Sequence, residues 1–208
     1  GFAAALPDAS DDLRALALAD SVAVDPHKWL YAPLEAGCVL VRRGDALRRA
    51  FAYHPPYYHF GEHATNYVDY GPQNSRGFRA LKVWLALKQA GASGYRAMIG
   101  ENIRLSAVMA KSIDAHPELE LVSHGLSIVT FRYVPSNLRP GVGSPDTERV
   151  LDGLNRALLD QLQRGGEVFV SNAVVHGRYV LRACIVNFHT TETDVEALPG
   201  IVAARGRS

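Results

Sequence analysis

The sequence predicts a mixed α/β chain that ends in a small α+β domain with an antiparallel sheet. Two short apolar runs, residues 21–25 and 37–41, have the length of strands, and the second is apolar throughout, as in a strand buried on both faces. From residue 78 to about residue 115 the apolar residues follow a helical period that is interrupted near Gly91. Strand-like and helical segments then alternate, which indicates an antiparallel sheet with helices beside it.

The remaining elements are predicted from their periodicity and from their first residues. Four later segments have strand patterns: residues 119–122, 127–133, 168–170 and 179–186. A helix at residues 147–164 separates the second strand from the third, and the last helix is expected to begin at Thr191. A short helix is also expected near the start of the chain, capped by Ser10 or Asp11, with three leucines on its apolar face: Leu13, Leu16 and Leu18.

Residues 52–75 differ in kind from the rest of the chain. They have no clear period and are rich in glycine, proline and tyrosine, the tyrosines being Tyr53, Tyr57, Tyr58, Tyr67 and Tyr70. A long irregular segment inside a compact domain is usually functional or disordered, and the aromatic content argues against simple disorder. We therefore predict a functional loop in this segment.

Composition and charge exclude several classes of function. The 208 residues include 22 basic and 21 acidic side chains, a formal net charge of +1, so there is no electrostatic footprint for nucleic acid or for an acidic membrane surface. No segment approaches the length of a transmembrane helix. Cys38 and Cys184 each lie in an apolar run and are expected to be buried thiols of a reducing compartment, which favours a cytoplasmic protein. The eight histidines show no metal-ligand spacing, so no metal site is expected.

Lys28 is the strongest candidate for a reactive side chain. A lysine that bonds covalently to a carbonyl group must lose its proton and must be held at a rigid position. Lys28 follows a predicted buried strand and Pro26, which fixes the backbone, and Trp29 supplies an apolar wall that disfavours a charged ammonium. His27 is adjacent and can hydrogen-bond a phosphate. A lysine beside an aromatic residue is, by itself, more often an exposed structural lysine. The longer run of residues around Lys28 is needed to decide between a reactive and a structural lysine.

That run, residues 19–31 (Ala-Asp-Ser-Val-Ala-Val-Asp-Pro-His-Lys-Trp-Leu-Tyr), resembles the cofactor-lysine signature of the group II pyridoxal-phosphate-dependent amino-acid decarboxylases. This family includes the aromatic-L-amino-acid, tyrosine, histidine and glutamate decarboxylases. The resemblance implies an α/β fold of fold type I, the aspartate-aminotransferase-like architecture, and a homodimer. It implies that residues 1–92 form the C-terminal part of the cofactor-binding large domain, with an active-site loop at 52–75, and that residues 93–208 form the small α+β domain.

The resemblance also implies a cofactor and the residues around it. Pyridoxal 5'-phosphate is expected to be held covalently by Lys28, with His27, Asp25 and Ser21 at the cofactor. In the family, the loop after the lysine strand carries a tyrosine that protonates the substrate after carbon dioxide leaves, and Tyr67 matches that position. A phenol is a suitable acid for one proton in a water-poor site. Without the resemblance, Tyr67 is an ordinary loop aromatic.

Arg182 and Trp29 are the candidates for substrate binding. Arg182 lies in an otherwise apolar strand and needs a partner, because a buried unpaired charge is costly. A salt bridge to a neighbouring carboxylate is one interpretation. The resemblance implies instead that Arg182 binds the substrate α-carboxylate, which suits its planar guanidinium. The aromatic loop favours an aromatic L-amino acid as substrate, with glutamate or a diamino acid left open.

Other parts of the family's cofactor site precede its lysine. They include an aspartate against the pyridine nitrogen, and Gly1-Phe2-Ala3-Ala4 looks like the residues that follow the motif of that aspartate. We therefore expect the isolated chain to be inactive and to need the N-terminal portion of the same enzyme. Three hypotheses follow: an amino-acid decarboxylase, an aldehyde synthase or another lyase on the same fold, and an inactive fragment that serves as an interaction module.

Overall fold

The computed structural model describes residues 1–59 and 65–208, so the middle of the predicted loop, residues 60–64, lies outside the described residues. The chain divides into two compact units, Gly1–Arg96 and Ala97–Ser208, and each is described by itself. Both units contain helices and strands, in agreement with the mixed α/β class predicted from the sequence.

The first unit contains a two-stranded antiparallel sheet. Strand β1, Ser21–Val24, pairs with strand β2, Cys38–Val41, and Ser21 lies opposite Val41. The helices of this unit before residue 79 are short: α1 at Asp11–Arg14, α2 at Asp45–Phe51, and 3-10 turns at Phe2–Ala5, Ala15–Leu18 and Tyr67–Tyr70. The segment that leads from β1 to β2 therefore carries Lys28.

The structure contradicts several sequence predictions about burial. Strand β2 is not buried on both faces: Cys38, Val39 and Leu40 are exposed, because the described residues do not cover both faces of the sheet that β2 forms with β1. Strand β1 alternates exposed and half-buried residues. Cys184, at the end of a strand in the second unit, is exposed as well, so both cysteine predictions were wrong. Leu18 is 78% exposed, since the first helix gives way to a 3-10 turn instead of presenting one apolar face.

Helix α3, Arg79–Asp114, confirms the break predicted near Gly91. At Gly91 the backbone leaves the helical region, with φ 66° and ψ 174°, so the element consists of two helical segments. Glycine reaches positive φ at little cost because it has no Cβ, whereas other residues are strained there. The second segment crosses the boundary between the two units.

The second unit is a four-stranded antiparallel sheet with helices, as predicted. Its strands stand in the order β3-β4-β6-β5, and their bounds are β3 Leu119–Gly125, β4 Ile128–Tyr133, β5 Ser171–Val175 and β6 Arg178–Cys184. Strand β5 begins three residues later than predicted. The reason is a two-residue turn, His176 and Gly177, both with positive φ, which pairs Val175 with Arg178 and thereby sets the register of the hairpin.

Helices α4, Pro145–Gly165, and α5, Glu192–Gly206, complete the second unit. Thr191 caps α5 as predicted: its side chain accepts from the Asp194 N–H, and the Asp194 carboxylate accepts from the Thr191 N–H. The second segment of α3 supplies Leu105, Met109 and Ile113 to the hydrophobic core, which also contains residues from α4, α5 and the strands β3, β4 and β6. The sheet therefore has one well-packed apolar layer.

A buried arginine links the sheet to α4. Arg132 on β4 has no exposed surface and contacts Glu120 on β3 at 2.9 Å and Glu148 on α4 at 2.5 Å. Arg178 on β6 approaches the same two carboxylates, at 3.3 and 3.6 Å. The hydrogen bond from Arg132, with a further one from the Gly143 N–H, outweighs desolvation and lowers the pKa of Glu148 to about 2.

Glu148→Gln is expected to lower the free energy of unfolding at neutral pH by about 3 kcal/mol, because a buried arginine loses an ionised partner. The pKa of Glu148 is depressed in the folded protein, so this contribution is present above the ordinary carboxyl value and is lost as the pH falls toward about 2. Urea unfolding over that pH range is expected to show a weaker pH dependence in the variant. Asp160→Asn, which removes an exposed carboxylate of α4, is the control; an equal effect there contradicts the prediction.

Candidate active site

The turn that carries Lys28 follows β1 directly and is closed by backbone hydrogen bonds. The Lys28 N–H donates to the Asp25 carbonyl at 3.0 Å, and the Tyr31 N–H donates to the Lys28 carbonyl at 3.1 Å. The Ala32 N–H reaches back to the Pro26 carbonyl at 3.2 Å. Pro26 restricts φ and has no N–H for the sheet, so it ends the strand and begins the turn. The Lys28 backbone is therefore fixed on both sides.

Buried residues anchor this turn within the first unit. Trp29 and Leu30 are buried, and the Tyr95 hydroxyl donates to the Leu30 carbonyl at 2.9 Å. Burial raises the pKa of Tyr95, so its hydroxyl keeps its proton at neutral pH. Tyr31 has φ 51°, a left-handed conformation that costs about 1–3 kcal/mol for a residue other than glycine and persists only where its surroundings fix it. The turn is thus held in a conformation that an isolated peptide would not keep.

The Lys28 side chain extends from the turn toward solvent and pairs with Asp25. It is 69% exposed, and its Nζ lies 2.6 Å from Asp25 Oδ2. The hydrogen bond from Lys28 lowers the pKa of Asp25 against the opposing effect of desolvation, with help from the charges of Lys28 and His27. Asp25 therefore holds the Lys28 ammonium in place, and the pair must open before the amine reacts as a nucleophile.

The imidazole of His27 is fixed by the backbone of Ala36. Its Nδ1 lies 2.6 Å from the Ala36 carbonyl oxygen and 3.3 Å from the Ala36 nitrogen. The shorter contact corresponds to an Nδ1–H that donates to the carbonyl, which leaves Nε2 of a neutral ring as an acceptor. His27 therefore donates from Nε2 to a phosphate oxygen only as the imidazolium.

Of the predicted cofactor residues, Ser21 alone is not brought to the Lys28 turn. Asp25 and His27 are part of it, as is Trp29, the candidate for substrate binding, whereas Ser21 begins β1 and is exposed. With a rise of about 3.3 Å per strand residue, Ser21 lies roughly 13 Å from Asp25 along the strand. A role for Ser21 at the cofactor stays a prediction.

Tyr67 begins the 3-10 turn Tyr67–Tyr70 and is 68% exposed, so its phenol is accessible. Two residues further on, Asp69 is only 2% exposed, and its carboxylate accepts from His54 Nε2 at 2.8 Å and lies 3.6 Å from Arg48 Nε. Sequence reasoning assigned no role to Asp69, and it treated His54 only as one of eight histidines without metal-ligand spacing. The available signal was weak: an aspartate between a valine and a tyrosine in an aromatic loop.

Arg182 lies on β6 in the second unit, opposite Thr130 of β4 and Ser171 of β5. It is half-buried, and its guanidinium contacts the Ser171 hydroxyl at 3.5 Å. Within residues 1–59 and 65–208, no carboxylate forms an ion pair with it, so the salt bridge considered from the sequence is absent from that part of the chain. The guanidinium retains donors for a carboxylate.

Comparison with known proteins defines the class of this chain. The model of the pyridoxal-dependent decarboxylase conserved domain matches residues 3–134, and the chain belongs to this family. The aromatic-L-amino-acid decarboxylase of Bacillus atrophaeus is 34% identical over 188 residues, which cover 88% of this chain and 38% of that protein. The phenylacetaldehyde synthase of a Rosa hybrid cultivar is 28% identical over 199 residues, covering 92% of this chain and 38% of that protein.

The fold is also found in solved structures. The crystal structure of Oryza sativa TDC with PLP and tryptamine matches with a TM-score of 0.84 and 24% identity, covering 98% of this chain and 42% of that one. The chain thus has the α/β architecture of fold type I, and it spans about two fifths of the length of the relatives it matches. In the described part of the chain, no helix has the length and apolar character needed to cross a membrane. Those residues also contain no group of three His, Cys, Asp or Glu side chains arranged to hold a metal ion.

The Lys28 turn fits pyridoxal phosphate, the cofactor of this family. The aldehyde of the cofactor requires a primary amine on a fixed backbone, and the Lys28 amine is accessible on a turn closed by hydrogen bonds. A phosphate requires donors, and the imidazole of His27, which the Ala36 backbone fixes at the adjacent position, donates from Nε2 whenever that nitrogen carries a proton.

Lys28→Ala is expected to raise the pKa of Asp25 toward its ordinary value, because the hydrogen bond from Lys28 is the main cause of its depression. A carbon-detected NMR titration of the Asp25 carboxyl group measures this change. Lys28→Arg retains a cation beside the carboxylate and is expected to keep the pKa low. The same Asp25 pKa in the alanine variant and in the unsubstituted protein would show that the pair does not form.

Proposed function

We propose that this chain supplies the cofactor lysine and the proton donor of an enzyme that converts an aromatic L-amino acid to its amine and carbon dioxide. Lys28 carries the proposal, because it presents an accessible amine on a rigid turn in a chain of the pyridoxal-dependent decarboxylase family. The aromatic substrate is supported by 34% identity to an aromatic-L-amino-acid decarboxylase.

Different residues of the turn are proposed to bind different parts of the cofactor. Lys28 binds pyridoxal phosphate through Nζ, and His27 donates from Nε2 to the phosphate while the Ala36 carbonyl orients its ring. Bound there, the cofactor supplies an electron-accepting ring that lowers the cost of breaking the bond between Cα and the carboxylate. Asp25 would hold the Lys28 ammonium at the site whenever Nζ is not bonded to the cofactor. Trp29 is assigned to the apolar wall of the substrate pocket.

Arg182 is proposed to orient the substrate carboxylate. Its guanidinium has a hydroxyl partner, Ser171, and no ion pair among the described residues, so an incoming carboxylate does not compete with another anion there. A very tight grip on the carboxylate would stabilise the substrate more than the transition state and slow the reaction. The long contact to the Ser171 hydroxyl positions the guanidinium without adding a further charge.

Tyr67 is proposed to deliver the proton to the carbon that has lost carbon dioxide. Its phenol is accessible, and it belongs to a short turn next to a buried carboxylate. A phenol retains its proton at neutral pH and transfers it to a strongly basic carbon.

The proposal extends to the whole enzyme. Residues 1–92 are assigned to the end of the cofactor-binding domain, with an active-site loop at 52–75, and residues 93–208 to the small domain. Because the chain spans 38% of its relative from Bacillus atrophaeus, we assign the remaining contacts to the cofactor to the part of the enzyme that this chain does not span. A homodimer in the cytoplasm is the expected form.

Lys28→Ala in the full-length protein tests the function directly. With added pyridoxal phosphate and an aromatic L-amino acid, the unsubstituted protein is expected to show a visible absorbance band and to release carbon dioxide, and the variant is expected to lose both. Lys111→Ala, an exposed lysine of the second unit, is the control and should retain both. Retention of the band in Lys28→Ala would exclude Lys28 as the attachment site.

An aldehyde synthase is the second candidate, favoured by the similarity to the phenylacetaldehyde synthase. In that reaction the amino acid, dioxygen and water give the aldehyde, carbon dioxide, ammonia and hydrogen peroxide, with two electrons passing from substrate to dioxygen. A tyrosine at position 67 favours the amine, because rapid protonation of the carbon leaves dioxygen less time to react.

Tyr67→Phe is therefore expected to shift the products of the full-length enzyme from the amine toward the aldehyde, with protonation slowed by about 100-fold or more. Chromatography of both products and a peroxide assay measure the shift. The visible band serves as the control, since Tyr67 is not assigned to cofactor binding. An unchanged product ratio removes Tyr67 from its role, and aldehyde as the main product of the unsubstituted enzyme supports the second candidate.

A further inference from the structure

Among the described residues of the first unit, Asp69 is the only charged side chain that is buried, at 2% exposure. Taking a carboxylate out of water costs several kcal/mol unless it is paired and hydrogen-bonded. Asp69 meets this requirement through His54, whose Nε2–H donates to one carboxylate oxygen at 2.8 Å. Arg48 Nε lies 3.6 Å from the other oxygen. The burial of Asp69 is thus explained by partners outside its own turn.

The backbone of Asp69 acts on Tyr67 as well. The Asp69 N–H donates to the Asn66 carbonyl at 3.0 Å and so closes the turn in which Tyr67 lies. One residue therefore makes two connections: its N–H closes the backbone around Tyr67, and its carboxylate ties that turn to His54, fifteen positions earlier in the chain.

The turn packs against α2 and also borders a pocket. This pocket, of about 400 Å³, is lined by Val68 and Gly71 together with Phe51 and Tyr53. Tyr67 itself is 68% exposed. Burial of the phenol does not fix this turn, so packing against α2 and the hydrogen bond between His54 and Asp69 hold it in place.

We propose that His54 and Asp69 form a clamp that positions Tyr67 for proton transfer, so that the clamp determines whether the enzyme makes amine or aldehyde. This rests on the proposed role of Tyr67. His54 and Asp69 are positioning residues and do not touch the substrate. A displacement of about 1 Å costs roughly 100-fold in a step that depends on alignment, so a loosened clamp slows protonation and leaves the carbon open to dioxygen.

Asp69→Asn in the full-length enzyme removes the charge with little change of shape, and His54→Gln retains an N–H donor at a similar distance from Cα on a more flexible side chain. Asp69→Asn is expected to raise the ratio of aldehyde to amine by about 10-fold or more while the visible band of the cofactor stays unchanged. His54→Gln is expected to give a smaller shift in the same direction. Asp45→Asn removes an exposed carboxylate of α2 that pairs with Arg49, and this control should leave the ratio unchanged.

The double variant Tyr67→Phe/Asp69→Asn separates positioning from a general loss of structure. If Asp69 acts through Tyr67, the double variant has the product ratio of Tyr67→Phe alone, since the two effects are not additive. Additive effects, an unchanged ratio in both clamp variants, or an equal shift in Asp45→Asn overturns the clamp. If Asp69→Asn loses the cofactor band, His54→Gln decides by the same criteria.

Failure of the clamp and failure of the proposed role of Tyr67 give different results. When Tyr67→Phe shifts the products and the clamp variants do not, only the clamp is overturned. When Tyr67→Phe leaves the products unchanged, Tyr67 is not the proton donor and the clamp proposal is overturned with it.

Discussion

The position of the Lys28 amine depends on a hydrogen bond that lies away from it, from the Tyr95 hydroxyl to the Leu30 carbonyl. A buried carbonyl without a partner costs about 1–3 kcal/mol, and this one belongs to the turn that holds Lys28. Tyr95 follows the break at Gly91, so the second segment of α3 reaches the site through this contact. Burial of Trp29 beside it leaves the turn little freedom. The exposed side chain of Lys28 thus starts from a fixed backbone, which cofactor chemistry requires.

Features that depend on neighbours in the sequence could be predicted from the sequence. The Lys28 site is local: Asp25, His27 and Trp29 lie on the same turn, and proline marks where the strand ends. The cap at Thr191 is equally local, since three positions suffice to satisfy both N–H groups. The order of helices and strands in the second unit was also correct, because each helix is long enough to show its period.

Features that depend on distant partners could not be predicted. Nothing near Asp69 in the sequence indicates that its carboxylate is buried and hydrogen-bonded to a histidine fifteen positions earlier. The register of β5 is set by the hairpin turn at His176 and Gly177, which follows the strand. The prediction instead placed this strand at the apolar run before residue 171. Strand β2 has the composition of a buried strand and is exposed, because its burial depends on what packs on it and not on its own residues.

Two arginines of the sheet, Arg132 and Arg182, have different surroundings although their strands have similar sequences. Both lie in apolar strands, so the sequence gives no reason to treat them differently. Arg132 has no exposed surface and contacts two carboxylates, Glu120 and Glu148. Desolvation lowers the pKa of Arg132, but its hydrogen bonds to Glu148 and Glu120, together with their charges, outweigh this effect and raise the pKa. Such an arginine has no free face for a ligand. Arg182 is half-buried with a hydroxyl partner at 3.5 Å. Its guanidinium, which no described carboxylate neutralises, is the one suited to receive an anionic group from outside the chain.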